Sequence, residues 1–156
     1  MSQKLVQRLQ QKFGQRILAA DGAHGDESVT VGRSDVPDVL AHLRDAEGCE
    51  QLSDVVGIDH PDRQERFEVV YLLRSWRNKS RIQVRTTVAE DQPVPTVSGL
   101  YGSADWAERE VYDMFGIRFT GHPDLRRILL SESDDFHPLR KEYPRRGHDP
   151  QDFPQE

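Results

Sequence analysis

Two segments that alternate residue by residue, joined by only four residues, leave this chain few folds to choose from. Residues 65–75 (ERFEVVYLLRS) place Phe67, Val69, Tyr71 and Leu73 on one face. Residues 80–88 (SRIQVRTTV) place Ile82, Val84, Thr86 and Val88 on one face and Arg81, Gln83 and Arg85 on the other. The Trp76–Lys79 stretch between them reads as a hairpin loop. Residues 51–59 (QLSDVVGID) supply a further strand. Alternation with one wet face is the antiparallel signature, and such a sheet buries its apolar face under helices.

Helical spacing is present on both sides of these strands. Leu5, Val6, Leu9 and Phe13 predict a helix over residues 3–13, stopped at Gly14. Residues 16–20 and Val29-Thr30-Val31 are short strand candidates around a DGAHGDES turn. Val36, Val39, Leu40 and Leu43 predict a second helix, capped by Ser34 or Asp35 and stopped by Gly48. After the proline-punctuated stretch 90–99, a third helix starts at Ser103 or Asp105 and ends at Phe115, with Gly116 suited to the left-handed position beyond it. From residue 131 onward the prolines forbid long helices. The expected class is α+β: a single domain with an antiparallel-dominated sheet, helices packed on one face and an extended C-terminal segment. The expected domain covers 1–144, with an N-terminal helix in 1–14 and an α+β core over 29–130. Residues 145–156 are expected to be a flexible tail.

Charge and cysteine content narrow the function. The net charge is −6, which disfavours nucleic-acid binding. One cysteine, Cys49, cannot form an internal disulfide or supply the several thiolates of an iron–sulfur cluster. No apolar run reaches the ~18–20 residues of a membrane span, and the N-terminal MSQKLVQRLQQKFG lacks the apolar stretch of a signal peptide. The expected compartment is the bacterial or archaeal cytoplasm, with peripheral attachment to a membrane complex open. Phosphate-cradling glycine loops and nucleophile elbows are absent from the sequence.

The densest chemistry lies in residues 108–128: Glu108, Arg109, Glu110, Asp113, His122, Asp124, Arg126 and Arg127, interrupted by Gly116, Gly121 and Pro123. At about 100° per residue, Ala104, Ala107, Val111, Met114 and Phe115 share an apolar face. Trp106, Arg109 and Asp113 lie opposite. Arg109 and Asp113 are four apart and can pair for about 0.3–0.5 kcal/mol on an exposed helix. Glu108 falls beside the apolar face, where a carboxylate needs a cation or several donors. The expected partners are arginines or lysines of segment 126–141: Arg126, Arg127, Arg140 or Lys141.

Three readings compete for this block. As acid/base catalysts, Glu108 and Glu110 point about 200° apart on a helix and cannot flank one substrate, even with His122 nearby. As a metal site, His122, Asp124 and His137 match no helical ligand spacing. As a latch and docking face, the charges tie down the C-terminal segment, and Trp106 beside Arg109 is a typical interface anchor.

The residues 94–130, VPTVSGLYGSADWAEREVYDMFGIRFTGHPDLRRILL, followed by HPLRKEYP, resemble the 30-kilodalton subunit of respiratory complex I. The resemblance extends over roughly residues 5–145. Asp105 stands where the family usually has Asn, Tyr101 where Trp is common and Glu142 where Asp is found. Phe136 replaces a glycine before His137, in a shortened 131–137 loop. The resemblance implies a non-catalytic scaffold subunit of the peripheral arm, beside the subunit that forms most of the quinone pocket. FMN, iron–sulfur clusters and quinone belong to the complex, with none expected on this chain, and electrons pass from NADH to quinone with proton translocation. It implies a location on the cytoplasmic side of the membrane, through the complex. The alternatives are the equivalent subunit of a membrane-bound hydrogenase or a complex with another electron donor, and a stand-alone acid/base enzyme using Glu108 and His122.

Overall fold

The computed structural model describes residues 4–22 and 26–147. Its elements are α1 (Leu5–Phe13), β1 (Ile17–Asp21), β2 (Glu27–Val31), α2 (Val36–Asp45), β3 (Gln51–Asp59), β4 (Phe67–Ser75), β5 (Ser80–Val88), β6 (Val94–Pro95), α3 (Ala104–Phe115) and β7 (Phe119–Thr120). Five strands form one sheet in the order β1-β2-β5-β4-β3, and β6 and β7 form a separate two-stranded pair. The β3–β4 and β4–β5 pairings are antiparallel. β2 instead lies parallel to β5, so the sheet is mixed.

Phe67, Val69, Tyr71 and Leu73 of β4 are buried with Ile82, Val84, Thr86 and Val88 of β5. The expected inward faces are therefore the ones that meet the helices. α1 contributes Leu5, Val6 and Leu9 to this core, α2 contributes Val36, Val39, Leu40 and Leu43, and α3 adds Val111, Met114 and Phe115. The three helices share that face, as the α+β expectation requires. On the outer face Glu68 of β4 is held by Arg85 at 3.0 Å and His60 at 2.8 Å.

Helix ends differ in detail from their sequence signals. Gly14 and Gly116 stop α1 and α3 with φ of 54° and 78°, which only glycine adopts without strain. α2 ends at Asp45, ahead of Gly48. Ser103 occupies the N-cap position of α3 without capping it. Its hydroxyl donates to the Leu52 carbonyl of β3 at 2.9 Å instead, a tertiary bond that outcompetes the local cap. Asp35 likewise leaves α2 uncapped and accepts from Arg16 at 2.8 Å. Part of the DGAHGDES turn and residues 148–156 of the expected tail lie outside the described residues.

α3 is seated on β3 by one close contact. A Cβ added at Gly57 would come within 2.6 Å of the Phe115 ring. The missing side chain lets the ring lie against the strand backbone and meet Phe67 edge-on at 6.4 Å. That contact sets where the charged residues of α3 fall.

Candidate functional site

Both flanks of α3 are packed, and each hides one carboxylate. Asp113 corrects the helical geometry: it is fully buried, not beside Trp106 on an exposed face. Periodicity sees only the helix, whereas segment 126–130 returns across this flank and covers it. Asp113 Oδ1 accepts from Arg127 Nη1 at 2.8 Å. Oδ2 accepts the amides of Ile128, Leu129 and Leu130 at 3.1, 2.8 and 2.9 Å. Burial pushes the Asp113 carboxyl up, but the Leu130, Leu129 and Ile128 amides with the Arg127 guanidinium outweigh it and hold it below the usual carboxylate range. Arg109 does not pair with Asp113. It donates to the carbonyls of Arg126 at 3.1 Å and Arg127 at 3.0 Å.

Glu108 is the second correction. It is fully buried, yet no arginine or lysine of segment 126–141 pairs with it. Oε1 accepts the Val97 amide at 2.8 Å, and Oε2 accepts the Thr96 hydroxyl at 2.5 Å. The cations of the C-terminal segment are spent one turn further along the helix, while Glu108 faces the extended strip that follows β6. Burial raises the Glu108 carboxyl, and the Thr96 hydroxyl, Val97 amide and nearby His122 only partly offset it.

His122 has a fully buried side chain, with Nε2 at 3.9 Å from Glu108 Oε2. Its Nδ1 accepts the Asp124 amide at 3.0 Å. An amide can only donate, so Nδ1 is the bare nitrogen and Nε2 carries the hydrogen toward the Asp105 carbonyl at 2.9 Å. Histidine here fastens the 121–124 turn to the first turn of α3.

The last four carbonyls of α3, which have no partner inside a helix, all find donors. Gly116 N–H serves Tyr112 at 2.7 Å, and Leu139 N–H serves Met114 at 3.1 Å. His137 Nδ1 serves Asp113 at 3.0 Å, joined by Arg127 Nη1 at 3.2 Å. Arg140 Nε serves Phe115 at 2.7 Å. Cationic donors at a helix C-terminus are also favoured by the helix dipole. Burial and the neighbouring Arg140 and Arg127 hold the His137 imidazole below its ordinary pKa, despite its bond to the Asp113 carbonyl.

A second anchor was not legible in the charge pattern. Asp59, at the end of β3, is buried and takes a bidentate pair from Arg66 at 2.7 and 2.9 Å. It also accepts the Lys141 amide at 2.7 Å, and Arg66 reaches on to Glu142. The Arg66 bond, against burial, holds Asp59 below the usual carboxylate range. Arg140 reaches Glu90 at 2.7 Å, and the Arg66 and Arg140 guanidiniums both lie 5.1 Å from the Phe67 ring. The only sequence signal was HPLRKEYP itself; its partner Asp59 is far away in the chain. Of the expected residues, Lys141 acts through its backbone.

The remaining expected residues stay at the surface. Glu110 and Asp124 are exposed, and Arg126 grips its near neighbour Asp124 at 2.7 and 2.8 Å. Trp106 is 67% exposed, with the Arg109 guanidinium 5.9 Å from its ring. Leu129 and Leu139 are exposed as well.

This arrangement binds chain to chain. Glu108 and His122 both have fully buried side chains, so neither can reach a substrate from solvent. His122 is tied near the start of α3 and His137 near its end, so they do not converge on one ion. Among the described residues no group of three His, Cys, Asp or Glu is placed to hold a metal. Cys49 is buried, and burial pushes its thiol up to about 11, which opposes the thiolate that a cluster needs. The residues present do not fit an iron–sulfur cluster.

Comparison with known proteins agrees with this fold and block. The C subunit of NADH-quinone oxidoreductase from Rhizobium rhizogenes is 44% identical over 146 residues, covering 92% of this chain and 73% of the relative. Its counterpart from Erythrobacter litoralis is 43% identical over 136 residues, covering 87% of this chain, which spans only 54% of that longer protein. A solved structure of the membrane-bound sulfane sulfur reductase, an archaeal respiratory membrane complex, has a chain of the same fold, with a TM-score of 0.77 at 21% identity over 90% of this chain and 84% of that one. Residues 29–149 match the family described as respiratory-chain NADH dehydrogenase, 30 Kd subunit. This chain belongs to that 30 Kd subunit family.

Proposed function

We propose that this chain is a non-catalytic scaffold subunit in the peripheral arm of a proton-translocating NADH:quinone oxidoreductase. It supports the quinone-site subunit while electrons pass from NADH through FMN and iron–sulfur clusters, held by other subunits, to quinone. One observation carries this reading: the buried charges beside α3 are consumed inside the fold. Asp113, Arg127, His137 and Arg140 lock the C-terminal segment onto α3, while Trp106 and Leu129 remain exposed. The names of the relatives support the complex.

In this reading Glu108, Asp113, His122, Arg127 and Arg140 are the latch. Trp106, Arg109, Glu110, Asp124, Arg126 and Lys141 are the docking surface. The chain is peripheral, on the cytoplasmic side of a bacterial or archaeal membrane, and no helix among the described residues is long and apolar enough to cross a bilayer. The test is affinity purification of the tagged chain from native membranes. The quinone-site subunit should co-purify, and recovery of a soluble monomer alone overturns the reading. Trp106→Ala should reduce that co-purification; unchanged recovery rules out the Trp106 patch.

A second reading, the equivalent subunit of a membrane-bound hydrogenase or another non-NADH complex, is favoured by the fold shared with the sulfane sulfur reductase. The co-purifying chains decide between the two. A stand-alone acid/base enzyme is opposed by the burial of Glu108 and His122.

A further inference from the structure

The end of the β4–β5 hairpin carries more positive charge than the fold neutralises. Arg74 and Arg81 are direct cross-strand partners on the outer face of the sheet. Like charges placed directly opposite destabilise a sheet, so this pair is a local cost that packing does not explain. Arg77 and Lys79 lie in the loop between them, both exposed. Eight consecutive residues, Arg74–Arg81, thus carry four positive charges and no acid, in a chain of net charge −6. Arg81 has one counter-ion, Asp26 at 2.5 Å, with both side chains largely exposed. No ion pair is present for Arg74, Arg77 or Lys79 among the described residues.

The tip is also held rigid. Glu50 accepts the Trp76 amide at 2.7 Å, and Asn78 Nδ2 donates to the Glu47 carbonyl at 3.0 Å. Trp76 Nε1 donates to Gln51 at 2.6 Å, and the Arg74 guanidinium lies 3.7 Å from the Trp76 ring centre. Stacking orients the guanidinium and leaves its donors free at the edge. A groove beside the hairpin adds Lys4 to Arg74, Lys79 and Arg81 along its lining, with Arg8 already paired to Glu47 at 2.8 Å and the acids Asp26 and Glu27 opposite.

We infer that this hairpin end is a docking site for an acidic polypeptide segment, one carboxylate of which bridges Arg74 and Arg81. Bridging turns the like-charge pair into a satisfied triad, and bidentate guanidinium–carboxylate geometry suits the planar forks. A lipid surface suits it less well. The indole is folded back on the sheet, with its N–H bonded and one face covered, so it cannot act as an interfacial wedge. A nucleic acid suits it less well still, because the covered ring offers no stacking platform. The site lies on the outer face of the hairpin end, whereas α3 packs on the inner face, and it does not depend on the scaffold reading.

The test uses the purified full-length chain and a fluorescein-labelled peptide alternating Glu with Gly, followed by anisotropy. Binding should be measurable at low salt and fall about tenfold or more near 0.5 M NaCl. The same peptide with Gln for Glu should not bind. Arg74→Glu should weaken binding at least about tenfold while the melting temperature stays level or rises, because the new carboxylate would face Arg81 across the strands. A purely structural arginine would show the reverse. Unaltered affinity in Arg74→Glu, equal binding of the Gln peptide, or no binding at low salt overturns the inference. So does tighter association with vesicles of phosphatidylcholine and phosphatidylserine in equal parts than with the Glu peptide, which would identify a membrane surface instead.

Discussion

Glu108 and Asp113 sit on the same helix, both fully buried, yet their carboxyls are driven in opposite directions. Asp113 has three amides and a guanidinium; Glu108 has one amide, one hydroxyl and a histidine at the edge of contact. Burial raises both carboxyls, Glu108 lying the deeper of the two, and the donors oppose it. The balance decides the sign: enough donors hold a buried carboxylate charged, and too few against deep burial leave it favouring its proton.

Removing the stronger anchor should have the largest effect. Asp113→Ala leaves Arg127 half-enclosed and unpaired and orphans three amides, so a loss of about 3–5 kcal/mol is expected. Chemical denaturation of the purified chain measures it, and a loss under about 1 kcal/mol would show that segment 126–130 is not held by this carboxylate. Thr96→Val removes one of the two close donors to Glu108 and should cost about 1 kcal/mol by the same measurement.

Opposite shifts require opposite pH slopes. Asp113 has a folded pKa below its unfolded value of about 3.9, so the unfolded state binds more protons near and below that pH. Its contribution is present above about pH 4 and lost as the pH falls. Glu108 has a folded pKa above its unfolded value of about 4.3, so the native state binds more protons above that pH. Its contribution is present in acid and lost as the pH rises through the folded pKa. Wild-type stability should therefore decline against Glu108→Gln on going from about pH 4 to pH 8, and increase against Asp113→Asn on going from about pH 2 to pH 5. Equal slopes in the two comparisons would break the contrast. The smallest effect belongs to the exposed side of the helix: Trp106→Ala should change stability by no more than about 0.5 kcal/mol, so that any loss of assembly reports docking and not folding.

The contrast also shows where the sequence stops being legible. Period-two alternation located β4 and β5 and the faces they bury, because a strand exposes its burial pattern in its own residues; β3 was expected as a strand without an assigned face, and its burial does not alternate. The 3.6-residue spacing did the same for α1, α2 and the apolar side of α3. The wheel placed Glu108 beside the core and Trp106 outside it. It also put Asp113 beside Trp106 and paired Glu108 with a C-terminal cation. Both expectations failed for one reason: the faces of α3 are covered by segments distant in the chain, and a helical projection contains no information about them. The Asp59–Arg66–Lys141 anchor was invisible on the same ground, since its two halves lie far apart in sequence.

For this protein, the sequence by itself determined the three helices and the central strands, the inward faces of β4, β5 and the helices, the Gly14 and Gly116 stops and the family, because each is written in local periodicity or in a contiguous motif. Tertiary structure alone decided which carboxylate holds the returning segment, which one favours a proton, and that β2 joins β5 in parallel. Those outcomes depend on how many donors reach one buried oxygen, and on which strands meet, and both are set only when distant backbone closes over the helix.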